Sequence, residues 1–208
     1  MKSPQIFPSS WVITGGIACG KSTVMQRLNE YLGSDHGVVF SCDAAVHQLY
    51  SVPEIMQRLV ARFGGGILRD GVIDRQKLGE IVFGNEKARQ DLEAILHPKV
   101  LEALEKARAE AQARLSVKLF VAEVPLYHEI GEAVSADHVI VVASSPDQQV
   151  RRLMYNRGLD KARSESMVGA QWPVLDKAIK ATKVIWNDGS EEALDDQIAS
   201  LFIAFDPT

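Results

Sequence analysis

Only two of the 208 residues are cysteine. Cys19 and Cys42 are too few for a disulfide framework and lack metal-ligand spacing, so reduced thiols are expected. Long apolar runs are missing as well: the longest are a few residues, against roughly 20 for a membrane-spanning helix. The opening MKSPQIFPSS has no apolar stretch of the signal-peptide kind. Together these predict a cytoplasmic chain, away from membranes. Basic charge is in deficit, with 23 Lys and Arg against 27 Asp and Glu, a net charge of −4 and a pI near 5.8. The electrostatic footprint of a nucleic-acid binder is therefore absent. Aromatic residues make up 7% of the chain, and three tryptophans offer no stacking array for bases. No internal repeat or low-complexity tract occurs, and no N-K-x-D motif is present to read guanine.

What is present is chemically specific. Residues 15–22 read GGIACGKS, matching G-x-x-x-x-G-K-[ST]. A β-rich run, Trp11 to Thr14, precedes the motif, and Val24, Met25, Leu28, Tyr31 and Leu32 follow at helical spacing. That strand–loop–helix context is where a phosphate-binding loop sits. Its glycines let successive N–H groups converge on phosphate oxygens, and the helix start adds its dipole. Gly15, Gly16, Ala18, Cys19, Gly20, Lys21, Ser22 and Thr23 are thus candidates to hold a nucleoside triphosphate. Lys21 is expected to bridge the β- and γ-phosphates and Ser22 to ligate Mg²⁺. Cys19 lies among backbone N–H groups that could favour a thiolate, but a small tolerated filler is the expected role.

Short β-rich runs at roughly 10–14, 37–41, 118–124, 137–143 and 183–186 alternate with longer helical patterns. The alternation predicts an α/β fold, a parallel five-stranded sheet flanked by helices. Residues 52–114 interrupt it without a convincing strand and read as an all-helical insertion, with FGGGILRDGVID as a turn between helices. Residues 146–181 are helical and carry Arg151, Arg152, Arg157, Lys161 and Arg163, the make-up of a lid that excludes water and neutralises charge in phosphoryl transfer. The remaining segments, 1–51, 115–145 and 182–208, form the core. Glu123 closes the apolar run LFVAE, as the acid after a Walker B strand does, and is a second candidate for the Mg²⁺ shell.

Beyond the loop, the chain carries FG at 63 and 64, DGVIDRQKL at 70–78, HP at 97 and 98, VPLYHE at 124–129, Gln149 with Arg152, Gln171, and NDG at 187–189. With TGGIACGKSTV at 14–24, these motifs resemble the dephospho-coenzyme A kinases, the P-loop kinases of the last step of coenzyme A biosynthesis. The resemblance implies ATP-dependent phosphorylation of the ribose 3′-hydroxyl of dephospho-coenzyme A, with Mg²⁺. It implies a nucleotide-binding core, a coenzyme-A-binding insertion at 52–114 and a lid at 146–181. Catalytic roles fall on Lys21, Asp43 and Arg152. Arg152, Asn187 and Gly189 are expected to frame the adenine. Asp43, His47, Asp74, Arg75, His97, Pro98, Leu126, Glu129 and Arg157 are expected on the acceptor side. The chain should act as a monomer or weak homo-oligomer.

Bland roles compete at several of these positions. Asp43 suits a proton acceptor for the attacking hydroxyl, but also an N-cap for the helix AAVHQLY. Asp74 suits a helix start, Arg75 a surface ion pair, His97 a buried or capping histidine, and Glu129 either a substrate contact or a brace for its loop. The chain also departs from the family pattern. Ser41 replaces the first acid of D-x-D, His47 replaces an arginine, and Asn156 stands where a lid arginine is usual, with Arg157 one place later. A neutral imidazole at His47 is expected to hold acceptor phosphate less strongly than a guanidinium. A nucleoside monophosphate kinase is the nearest alternative, disfavoured by DGVIDR and HP; a GTPase-like switch is disfavoured by the missing guanine motif.

Overall fold

The computed structural model describes residues 8–205. In chain order the strands are β1 (Ser9–Gly15), β2 (Gly37–Ser41), β3 (Leu68–Arg69), β4 (Val72–Ile73), β5 (Leu119–Glu123), β6 (His138–Ala143) and β7 (Lys183–Trp186). The helices are α1 (Lys21–His36), α2 (Cys42–Leu49), α3 (Pro53–Phe63), α4 (Arg75–Val82), α5 (Glu86–Gln112), α6 (Pro146–Arg157), α7 (Lys161–Gly169), α8 (Val174–Ile179) and α9 (Glu191–Phe205). They pack as two compact units. One comprises the chain up to Phe40 together with Arg108 onward; the other is Ser41–Ala107.

The first unit is built on a parallel sheet in the order β2-β5-β1-β6-β7. β1 lies at its centre and is buried on both faces, with Trp11, Val12 and Ile13 at 0% exposure, the hydrophobic signature of a covered parallel strand. Ile13 stands opposite Glu123 on β5 and Ile140 on β6. Val24, Met25 and Leu28 of α1 and Leu194, Ile198 and Leu201 of α9 complete this core. Tyr31, read with the apolar face of α1, is instead 62% exposed and stacks on Phe202 at 4.2 Å. Chain reversal after β1, β5, β6 and β7 brings four loops to the carboxyl edge of the sheet, where parallel α/β sheets bind ligands. No described helix is long and apolar enough to cross a membrane.

The second unit has its own core, Ile55 and Leu59 of α3 packing with Ile67, Ile73, Leu78, Ile95 and Leu96. It begins at Ser41 and so takes in α2, whereas the sequence reading starts the insertion at residue 52 and carries it to 114. It is also not wholly helical. Leu68 pairs antiparallel with Ile73 and Arg69 with Val72, joined by Asp70 (φ 52°) and Gly71 (φ 79°). Positive φ at both central residues is the turn that suits a two-residue hairpin, and Asp-Gly is its usual sequence. Strands of two residues carry no periodicity, which is why the hairpin reads as a plain turn in the sequence.

Candidate active site

The phosphate loop takes its shape from positions where a side chain has no room. At Gly15 (φ 146°) a Cβ would lie 2.1 Å from the Val142 carbonyl oxygen, and at Gly20 (φ 92°) 2.2 Å from Asn187 Nδ2. Ala18 adopts φ 56°, a left-handed conformation that costs a non-glycine residue about 1 kcal/mol or more. Gly20 caps α1 without a side chain, so the first amides of the helix are left for an anion. Ser22 and Thr23 are exposed in that first turn. The Lys21 ammonium folds back over the loop, donating to the carbonyls of Gly16 (2.9 Å) and Gly15 (3.4 Å).

A shell of polar side chains holds the loop from outside. Arg152, on α6, donates from Nη1 to Ala18 O (3.1 Å) and Ser144 Oγ (3.0 Å) and from Nη2 to Asn187 O (2.7 Å). Asn187, buried after β7, donates to Cys19 O at 2.9 Å. Both are expected to frame the adenine; in the structure each donates to the loop itself, while Gly189 is exposed. Gln149 donates to Cys19 Sγ (3.0 Å) and Ser144 O (3.2 Å). Gln171 accepts from the Ile17 amide at 2.7 Å. The Ser145 amide donates to both carboxylate oxygens of Asp188, at 3.1 and 3.0 Å. Burial pushes that carboxyl up, but hydrogen bonds from the Ser145 side chain and amide, with Ser144 and Trp186, outweigh it and hold Asp188 below the usual carboxylate range. Ser144 carries no sequence signal: it is one more small residue at a strand end.

Cys19 is wholly buried, and burial pushes its thiol up, with the Lys21 charge only partly opposing. Burial and the raised thiol suit the small filler expected at Cys19 rather than a thiolate. Glu123, 6% exposed, ends β5 beside Ile13, two residues before the loop begins. Thr14 donates to Pro125 O at 3.3 Å, tying β1 to the segment after β5. In that segment Leu126 is half-buried and its carbonyl accepts from Ile130 N at 2.9 Å. Glu129 makes the contacts of a brace: its Oε1 lies 2.6 Å from the fully buried Lys177 ammonium and accepts from Trp172 N at 3.4 Å. Arg157 is exposed at the end of α6, ahead of the left-handed cap Gly158.

In the second unit, Ser41 is the N-cap of α2, accepting from Ala44 N at 3.3 Å. The capping role weighed for Asp43 therefore belongs to Ser41, and Asp43 is exposed in the first turn of the helix. Arg75 Nη1 lies 2.7 Å from His47 Nε2. Its charge also reaches Tyr50, whose phenol burial pushes up and Arg75 partly pulls back. Asp74 caps α4 through Gln76 N (3.0 Å) and Lys77 N (3.3 Å), and its other oxygen lies 2.7 Å from Arg69. Its carboxylate is thus committed to joining the hairpin to α4. His97 is half-buried and Pro98 exposed within α5, where the missing proline N–H leaves the Ala94 carbonyl without its helical donor.

Comparison with known proteins decides the family. The dephospho-CoA kinase family model matches residues 11–193. The dephospho-CoA kinase of Geobacillus kaustophilus is 39% identical over 195 residues, 93% of this chain and 95% of the relative. That of Thermosynechococcus vestitus is also 39% identical, over 91% of each. The chain belongs to the dephospho-CoA kinase family.

As a member of that family it is a kinase. A crystal structure from Thermus thermophilus, 30% identical, superposes with a TM-score of 0.79 over 96% of this chain and 98% of that one. The dephospho-CoA kinase of Campylobacter jejuni, at 23% identity and a TM-score of 0.58 over 95% and 97%, shares the fold. The fold also extends outside the family, to a shikimate kinase from Bacteroides thetaiotaomicron at 13% identity and a TM-score of 0.50 over 95% and 98% of the two chains. The five-stranded parallel sheet flanked by helices is thus a fold shared beyond the family. Within this dephospho-CoA kinase family member, substrate choice has to come from what surrounds that core.

Proposed function

We propose that this kinase transfers the γ-phosphoryl group of ATP to the ribose 3′-hydroxyl of dephospho-CoA, giving CoA and ADP. The observation that carries the reading is the loop from Gly15 to Ser22: left-handed at Gly15, Ala18 and Gly20, topped by the Lys21 ammonium, in a chain with this family's motifs throughout. Lys21 leaves its two carbonyl acceptors for the β- and γ-phosphates and offsets charge on the transferring group. The loop amides and the first turn of α1 take the remaining phosphate oxygens. Arg152 and Asn187 act by fixing the loop's carbonyls so that its amides face inward.

Asp43 is the proton acceptor for the attacking hydroxyl. It is exposed, and Ser41 relieves it of capping α2. His47, Arg75 and His97 serve the acceptor; they fall with Asp43 in the compact unit Ser41–Ala107, which extends the coenzyme-A-binding segment back to α2. Residues 146–181 supply the lid, with Arg157 exposed at the end of α6.

Among the described residues no group of three His, Cys, Asp or Glu side chains gathers to cage a metal. Mg²⁺ does not need one: it takes few protein oxygens and keeps phosphate and water ligands. The exposed Ser22 hydroxyl and the Glu123 carboxylate at the end of β5 are hard oxygen donors that fit it. When bound, the ion supplies charge neutralisation on the phosphates. An acceptor panel tests the proposal: with ATP and Mg²⁺, dephospho-CoA should be phosphorylated, whereas adenosine and AMP should not turn over at comparable rates. Equal use of AMP would favour a nucleoside monophosphate kinase.

A further inference from the structure

Among the described residues, Lys177 is the one lysine or arginine whose large side chain is wholly buried, at 0% exposure, and burying a charge is costly unless a partner offsets it. Its partner is Glu129, with Nζ and Oε1 2.6 Å apart. The pair joins the segment after β5 to α8. The same Oε1 accepts from the backbone of Trp172. The indole of Trp172 lies parallel to the His128 ring, centroids 6.1 Å apart and planes 11° apart, with the Lys180 ammonium 5.3 Å from its centroid. Glu132 closes the arrangement, 3.2 Å from both His128 Nδ1 and Lys180 Nζ. Two segments distant in sequence are therefore joined by one buried ion pair and by the contacts of Trp172 with His128 and Lys180.

The residue before that tryptophan is Gln171, whose side-chain oxygen accepts from the Ile17 amide of the phosphate loop at 2.7 Å. Gly16, Gln149, Gln171 and Trp172 also line one cavity of about 330 Å³, so that segment and the loop share a wall. We propose that Gln171 is a positioning residue for the triphosphate, held in place by the Glu129–Lys177 pair and Trp172. Its carboxamide satisfies the Ile17 amide and fixes the leading edge of the loop, leaving the later amides to meet phosphate. The proposal rests on the kinase reading above only in that the loop binds a nucleotide.

The test compares nucleotide binding with stability. Gln171→Leu removes the acceptor at nearly constant volume. Glu129→Gln with Lys177→Met neutralises the pair without leaving one buried charge alone. ADP affinity by calorimetry, the KM values for ATP and dephospho-CoA, kcat and thermal unfolding are measured for each and for the triple variant. Gln171→Leu should weaken ADP binding and raise the KM for ATP about tenfold, the worth of one well-placed hydrogen bond. The KM for dephospho-CoA should change by less than about twofold. The paired variant should move the same constants in the same direction, and the triple variant should be no worse than the poorer of its parents, because the two changes act through one contact. Unchanged ADP affinity in Gln171→Leu would overturn the proposal. So would a paired variant that loses thermal stability alone, or effects that multiply. If the paired variant does not fold, Trp172→Ala, at a residue 42% exposed, removes the indole that supports the same segment while keeping the backbone donor to Glu129, and is held to the same outcomes. ADP binding by a chain that phosphorylates no dephospho-CoA would remove the proposed reaction and leave this comparison intact.

Discussion

Arg75 donates from Nη1 to Nε2 of His47 across 2.7 Å, since a guanidinium can only donate. The imidazole standing in place of a family arginine therefore serves as the acceptor that fixes Arg75. This changes what a substitution there should do. A second guanidinium would remove the acceptor and set like charges together, so His47→Arg should not tighten acceptor binding, contrary to the simple expectation from charge. His47→Ala should raise the KM for dephospho-CoA roughly three- to tenfold, the net worth of one hydrogen bond, with the KM for ATP unchanged. Steady-state titration of both substrates checks this. An equal shift in both constants would detach His47 and Arg75 from the acceptor.

Ser41 and Asp43 should separate cleanly into a structural and a chemical role. Ser41→Ala removes the cap accepted from Ala44 N and should cost about 1 kcal/mol of stability while turnover persists. Asp43→Asn leaves the cap and the helix start in place, so its melting temperature should stay within a degree or two as transfer collapses. Thermal unfolding run beside a coupled assay distinguishes them. Turnover retained in Asp43→Asn would return Asp43 to an ordinary first-turn acid.

Asp188 gives a pH signature of folding. Burial pushes its carboxyl up, but hydrogen bonds from the Ser145 side chain and amide, with Ser144 and Trp186, outweigh it and hold its folded-state pKa below the unfolded value. The native state thus binds fewer protons, so the stabilisation is present above the unfolded pKa of about 4 and lost as pH falls through the lower folded one. Asp188→Asn should melt below the wild type at pH 7, and the gap should narrow as pH falls below about 4. Melting curves from pH 7 to 3 measure it. A gap that is constant with pH would mean that the carboxylate charge contributes nothing.

Much of the architecture is legible in local pattern. β1 and β5 are runs such as WVIT and LFVAE, and the loop between β1 and α1 announces itself by its glycines, each with a steric reason in the structure. What escapes local reading depends on distant partners. Lys177 sits in VLDKAIK, where a lysine beside an aspartate reads as solvent-facing; only Glu129, 48 positions earlier, explains its burial. Arg152 reads locally as a lid arginine, and its acceptors Ala18 and Asn187 lie 134 and 35 positions away. Asp43 and Ser41 differ by two positions, and either could cap α2; backbone geometry, which composition does not encode, assigns the role to Ser41. The Asp70-Gly71 turn is the exception, a signal that was present and short.

Product stoichiometry with and without Lys21 tests the central claim most directly. ADP and CoA are quantified together by chromatography and mass spectrometry after incubation with ATP, Mg²⁺ and dephospho-CoA. One CoA should form per ADP, with no ADP when the acceptor is omitted. Lys21→Ala should lose both products by a factor of about 100 or more while keeping its fold, since a charge aimed at the transferring group is worth about 3 kcal/mol or more. ADP released to water without CoA, or full transfer by Lys21→Ala, would contradict the account.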